Sequence, residues 1–129
     1  MPARIMIVHD KPDFADEVAS MLRPGEDDVA TFADPAAALD ALESAERIEL
    51  LVSCVDFGPG KLNGVALALM ARARRPEIGV LLIGPLELAL SAGGLGHFLR
   101  EPVSPWELMT TIERLLRVSR PVIPPAREA

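Results

Sequence analysis

Few side chains in this sequence offer reactive chemistry, and most of them stand where an apolar run gives way to a loop. His9, Asp10 and Lys11 follow Ile5-Met6-Ile7-Val8. Cys54 and Asp56 lie at and just past the end of Leu50-Leu51-Val52-Ser53, and Glu101 follows His97-Phe98-Leu99-Arg100. An imidazole and a thiol can act as base and nucleophile. The same pair, joined by Asp10 or Glu101, is a donor set for a zinc-like ion. Asp10 and Asp56 are the carboxylates that a hard cation would use. Each has a plainer role as well. A small Cys is among the most often buried residues, and Asp10 reads as a loop acid capping the helix that follows it. No oxyanion hole or substrate pocket is visible around Cys54.

Other tempting segments read as scaffold. Gly58-Pro59-Gly60-Lys61 lacks the spacing of a phosphate loop, and its Pro removes one of the amides needed. Gly93-Gly94-Leu95-Gly96 precedes an apolar run, whereas a dinucleotide fingerprint follows one. Arg72, Arg74 and Arg75 read as a solvated helix end, where cations suit the dipole. Trp106 is expected to pack partly over the edge of the core.

These residues are positioned by a regular alternation of elements. Arg4–Val8 and Leu50–Val55 are short, rich in β-branched and aliphatic residues and without polar alternation, the pattern of strands buried on both faces. Gly79–Ile83 repeats that pattern, while 29–32 and 97–100 are weaker strands. Between them lie amphipathic segments. Pro12 starts one that carries Phe14, Val18 and Leu22 and ends at Pro24-Gly25. Asp34-Pro35 starts a second, with Asp34 as N-cap, presenting Ala38, Leu39 and Leu42. A third runs from about Val65 to Pro76. Leu86 to Leu90 forms a short helix, and Ser104-Pro105-Trp106-Glu107 has the form of a capping box opening the last. Strand–helix alternation implies a parallel sheet covered on both faces, with the functional crevice outside the carboxyl ends of the strands.

With these blocks in order, the sequence resembles the receiver (CheY-like) domains of two-component response regulators, from Ile5 to about Leu116. The first strand and acidic loop are matched by Ile7-Val8-His9-Asp10-Lys11-Pro12. The third strand and its loop are matched by Leu51-Val52-Ser53-Cys54-Val55-Asp56-Phe57, Gly58-Pro59-Gly60 and Asn63-Gly64. Val80-Leu81-Leu82-Ile83-Gly84 matches the fourth strand. Phe98-Leu99-Arg100-Glu101-Pro102-Val103 and Ser104 to Leu108 match the fifth strand and its helix. The resemblance implies a flavodoxin-like (βα)5 sandwich with five parallel strands in the order 2-1-3-4-5. Between Gly84 and Phe98 the chain is roughly two helical turns short of the family pattern, so the fourth helix is expected to be short or irregular.

The family's chemistry implies two acids after the first strand and an Asp ending the third, which together hold Mg²⁺ and accept a phosphoryl group. It also implies a Ser or Thr ending the fourth strand and a Lys ending the fifth. At these positions stand His9-Asp10, Cys54, Ile83 and Glu101, while Phe98 matches the aromatic switch position. A thiol is a poor ligand for Mg²⁺, Ile83 offers no hydrogen bond, and Glu101 would face an incoming phosphoryl group with like charge. A degenerate receiver is expected: not an enzyme, without cofactor or resident metal, acting by protein–protein interaction. Two alternatives remain. One is an unorthodox phosphoacceptor using Asp56 with Asp10, which also names the acids for any metal. Asp56 lies two residues past the aligned position, about 7 Å along a strand. The other is a thiol-based redox or metal site at Cys54 and His9.

Composition bounds the partners. The chain has 129 residues, half of them hydrophobic, and a net charge of -6. That balance excludes the basic footprint that nucleic acid or an anionic membrane surface demands. One Cys excludes an internal disulfide and any CxxC zinc site. No run is long enough to span a membrane, and a cytoplasmic location is expected. A receiver-like domain is expected over 1–119 and a Pro-rich tail over 120–129. The expected partner is another signalling protein, namely a histidine kinase, a phosphotransferase or an effector domain, with a homodimer as a further option.

Overall fold

The computed structural model describes residues 3–22, 27–44, 47–90 and 94–119. Strands β1 (Ala3–Val8), β2 (Asp27–Phe32), β3 (Leu50–Cys54), β4 (Gly79–Gly84) and β5 (His97–Arg100) alternate with helices α1 (Pro12–Met21), α2 (Pro35–Ser44), α3 (Gly64–Arg74) and α4 (Pro105–Ser119). All neighbouring strands are parallel, in the order β2-β1-β3-β4-β5. The expected flavodoxin-like architecture is thus present. Where a full helix would join β4 to β5, the described residues include a single 3-10 turn at Leu86–Leu88, in keeping with the short stretch of sequence available.

The central strands bury both faces, which is why they carry no polar alternation. Ile5, Ile7, Leu50, Val52, Leu81 and Ile83 point to α1 and α4, against Ala15, Val18, Leu108 and Ile112. Met6, Val8, Leu51, Val80 and Leu82 point the other way, against Ala38 and Leu42 of α2 and Leu67, Ala68 and Ala71 of α3. Burying each large aliphatic side chain contributes about 1.5–3 kcal/mol, so these two layers carry most of the stability.

Local chemistry sets the helix starts. Asp34 Oδ1 accepts from the Ala36 N–H at 3.2 Å, as its N-cap role requires. Ser104 Oγ accepts from the Glu107 N–H at 3.1 Å. Asn63 Oδ1 accepts from the Ala66 N–H at 2.8 Å and starts α3 one residue earlier than its apolar pattern suggests. Gly64 fits because nothing larger can. A Cβ there would lie 2.1 Å from the Cys54 carbonyl oxygen. The Gly64 N–H donates to Val55 O at 2.8 Å, so α3 begins directly against the end of β3.

Three expectations are corrected. Trp106 does not cover the core edge; it is 63% exposed, because its position on α4 turns it away from the sheet. Of the arginines at the end of α3, Arg74 is solvated as expected, but Arg72 and Arg75 are half-buried. Arg72 donates to Leu95 O, Arg75 Nη2 donates to Leu42 O at 2.8 Å, and Arg74 pairs with Glu43 at 2.6 Å. They tie α3 to α2 and to the segment entering β5. Asp10 does not cap α1: Lys11 is the N-cap residue, and no side chain caps that end. The expected stop at Pro24-Gly25, Gly93 and the 120–129 tail lie outside the described residues.

Candidate functional site

The carboxyl ends of β1, β3, β4 and β5 bring together the residues that sequence reasoning singled out. Val8 is in register with Ser53 and Cys54 with Ile83, so His9 and Cys54 emerge side by side. Strand alternation sends His9, Cys54 and Ile83 to the α1/α4 side of the sheet, along with Ile7, Val52 and Leu81. Glu101 follows β5, where its N–H donates to Gly84 O at 2.8 Å, and the Glu101–Pro102 peptide is cis.

His9 is buried, at 5% exposure. Its ring lies tilted on Phe14, with centroids 4.8 Å apart. Burial lowers its pKa from the usual imidazole value and outweighs the nearby carboxylates of Asp10 and Glu101, which act to raise it. The ring is therefore neutral at pH 7, and its Nδ1 lone pair accepts the Lys11 N–H at 3.1 Å. Asp10 Oδ1 lies 3.3 Å from the same nitrogen. With a neutral ring this is proximity without an ion pair.

Cys54 is 3% exposed. Its Sγ lies 3.8 Å from Asp10 Oδ1 and 3.8 Å from the carbonyl oxygen of Asp56. Burial pushes the thiol up to about 12, and the charges of Asp10 and Glu101 act in the same direction. At neutral pH Cys54 is a protonated thiol and not a ready nucleophile.

The remaining positions divide around this pair. The Asp56 side chain is exposed and turned into its own loop, with Oδ1 accepting the Gly58 N–H at 2.9 Å. Among the described residues the side chains that converge are His9, Asp10 and Cys54, without Asp56. The pairing of Asp10 with Asp56 expected for a cation is therefore corrected. On a continuing strand Cys54 and Asp56 would share a face, but β3 ends at Cys54 and the chain turns into its loop there, so Cys54 is the side chain found beside Asp10. Ile83 lines a cavity of about 420 Å³ together with His9, Lys11, Phe14, Glu101, Pro102 and Val103. Phe98 lies on the opposite face, packed with the α2/α3 layer. A Cβ at Gly84 would sit 3.7 Å from its ring tip. Neither Ile83 nor Gly84 carries a hydroxyl. Sequence reasoning did not single out Phe14 and Val103 as cavity walls, since both read simply as apolar helix or loop positions.

The Mg²⁺ that the receiver resemblance implies does not fit this donor set. Mg²⁺ demands oxygen ligands in near-octahedral array. The convergent donors here are one imidazole nitrogen, one carboxylate and one thiol, and Glu101 is not among them.

At the level of sequence, no family model and no curated protein matches the chain. Solved structures do. A receiver domain protein (CheY-like) from Methanospirillum hungatei JF-1 superposes with a TM-score of 0.78 at 22% identity, over 92% of this chain and 97% of that one. The receiver domain of an HD domain-containing protein from Pseudomonas fluorescens Pf-5 gives 0.77 at 19% identity, over 92% and 98%. Full-length FixJ from B. japonicum gives 0.72 at 27% identity, over 92% of this chain and 60% of that one. No helix among the described residues is long and apolar enough to cross a membrane. The chain therefore has the fold of the CheY-like receiver domains of response regulators, the family that its sequence resembles.

Proposed function

We propose that this chain is a receiver-type signalling domain that works by binding another signalling protein, with neither Asp phosphorylation nor Mg²⁺. The observation that carries the reading is the carboxylate of Glu101 on the wall of a cavity it shares with His9 and Ile83. Cys54, the residue that the receiver resemblance sets at the phosphoacceptor position, is in register with Ile83 on the wall of that cavity. A phosphoryl group there would meet a like charge, no hydroxyl and no hard-metal cage. The partner class is a histidine kinase, a phosphotransferase or an effector domain, and the setting is the cytoplasm. Partner binding sets the balance between conformations, since a ligand shifts only the states it binds differentially.

The test is incubation with Mg²⁺ and a small-molecule phosphodonor, read by intact mass. No phosphoryl adduct is expected. A stoichiometric adduct that disappears in Asp56→Asn would replace this reading with the unorthodox acceptor. The engaged Asp56 carboxylate opposes that outcome. A redox role for Cys54 is opposed by the buried, protonated thiol. Unreactivity toward a thiol reagent at neutral pH is the matching expectation.

A further inference from the structure

Beyond the interaction role, we propose that His9, Asp10 and Cys54 form a binding site for a borderline-soft divalent metal, Zn²⁺ in particular. Imidazole nitrogen, carboxylate oxygen and thiolate sulfur are the three ligand types Zn²⁺ takes, and three protein ligands with one open position is a common arrangement. Their ligand atoms all lie within 4.8 Å of one another. His9 Nδ1 lies 3.3 Å from Asp10 Oδ1, and Cys54 Sγ lies 3.8 Å from the same oxygen. Tetrahedral Zn²⁺ with bonds of ~2.0–2.3 Å has ligand–ligand edges of about 3.3–3.8 Å. The third edge, between His9 and Cys54, is no longer than 4.8 Å, and it closes with about 1 Å of movement of those two side chains, while the half-exposed Asp10 follows the ion.

Electrostatics supports a cation at this place. The carboxylates of Asp10 and Glu101 act on both His9 and Cys54, and the one opposing ammonium acting on His9 is that of Lys11 at the rim. The substitution that turns away a phosphoryl group, a carboxylate at position 101, draws a cation inward. His9 lines a cavity with Glu101 and Lys11 that has room for water. Binding replaces the Lys11 N–H on Nδ1 by the metal, and that amide lies at an exposed residue where water takes it up. The thiol proton leaves to solvent as the sulfur–metal bond forms. Softness separates this site from the Mg²⁺ chemistry of receivers: sulfur and nitrogen select zinc-like ions over hard ones.

The sequence makes the test specific. Cys54 is the only cysteine of the chain, so a sulfur-to-metal charge-transfer band reports one position. His97, the other histidine, starts β5 in register with Leu81, three strands across the sheet from β1, which leads into His9. Tag-free, chelator-treated protein is titrated with Co²⁺ and followed by absorbance, then challenged with Zn²⁺ and, separately, with excess Mg²⁺. A saturable one-to-one band is expected, which Zn²⁺ abolishes and Mg²⁺ leaves in place. Cys54→Ser should lose the band, and His9→Gln and Asp10→Asn should each weaken Co²⁺ binding at least about tenfold. Circular dichroism confirms that each variant is folded. No saturable band, or a band that survives in Cys54→Ser, overturns the proposal. Either result leaves the phosphodonor assay unaffected, so the two readings fail separately.

Discussion

The Cys54 thiol points at the Asp10 carboxylate, 3.8 Å away, across the junction of β1 and β3. The contact explains why an isolated change at position 54 would not make a working acceptor. Cys54→Asp sets a second carboxylate against Asp10, with Glu101 acting on the same site. Like charges in a shared site repel, so the single variant should be less stable than the parent at neutral pH and should recover stability on adding Mg²⁺. It should still take no phosphoryl group. Cys54→Asp combined with Glu101→Lys restores both the oxygen ligand and the ammonium, and should gain a mass adduct from a small phosphodonor.

The same burial makes a prediction at high pH. In the metal-free protein Cys54 titrates at about 12, against a usual value of 9.0. Its raised folded value means that stability from this group is complete below pH ~9 and is lost as pH rises toward ~12, at up to about 1.4 kcal/mol per unit. The background is unusually clean, because the chain has no Tyr and only two Lys, Lys11 and Lys61. Urea unfolding from pH 8 to 11 should show a steeper loss for the parent than for Cys54→Ala. His9 works in the opposite window. Its lowered value makes stability complete above pH ~6.5 and lost as pH falls below it, and His9→Phe should flatten that limb.

Backbone approach at the end of β3 is the next point to test. Gly64→Ala places a methyl 2.1 Å from the Cys54 carbonyl oxygen, and the neighbouring atoms are backbone too. The start of α3 must then move off β3, a change in the class of overpacking that costs about 1–3 kcal/mol or more. Gly58→Ala is the control. Its φ of 101° strains any side chain, but nothing lies within 4 Å, so about 1–2 kcal/mol is expected from conformation alone. Chemical denaturation should rank Gly64→Ala well below Gly58→Ala.

Trp106 stands 63% exposed on α4. Trp106→Ala should change stability by no more than about 0.5 kcal/mol in thermal or urea unfolding, as exposed positions usually do. A larger loss would mean that the ring packs more closely than its exposure implies.

What was readable in the sequence follows from how local each signal is. The unbroken Ile5–Val8 and Leu50–Val52 runs announce strands buried on both faces, because no polar residue interrupts them. Asp34 and Ser104 announce helix starts, because a cap acts on an amide two or three residues away. The juxtaposition of His9 with Cys54 was also within reach, since it follows from strand order and register. The orientation of Asp10 was not. Whether a loop acid caps the following helix or reaches a neighbouring strand depends on a few degrees of backbone rotation that no spacing encodes. The same holds for Asp56, whose carboxylate is taken by an amide of its own loop.

The arginines of α3 show that limit most plainly and supply a contrast that can be measured. By position, Arg74 and Arg75 look alike, two cations at a helix end. In space, Arg74 meets Glu43 with both side chains 48% exposed. Arg75 reaches back under α2 to the carbonyl of Leu42, in the last turn of that helix where carbonyls have no intrahelical donor. An exposed ion pair contributes about 0–1 kcal/mol. A half-buried carbonyl deprived of its charged donor costs about 1–3 kcal/mol. Arg75→Ala should therefore lower the unfolding midpoint clearly, while Arg74→Ala leaves it nearly unchanged and added salt removes what effect there is. Equal effects from the two variants would mean that both act only through general charge at the helix end.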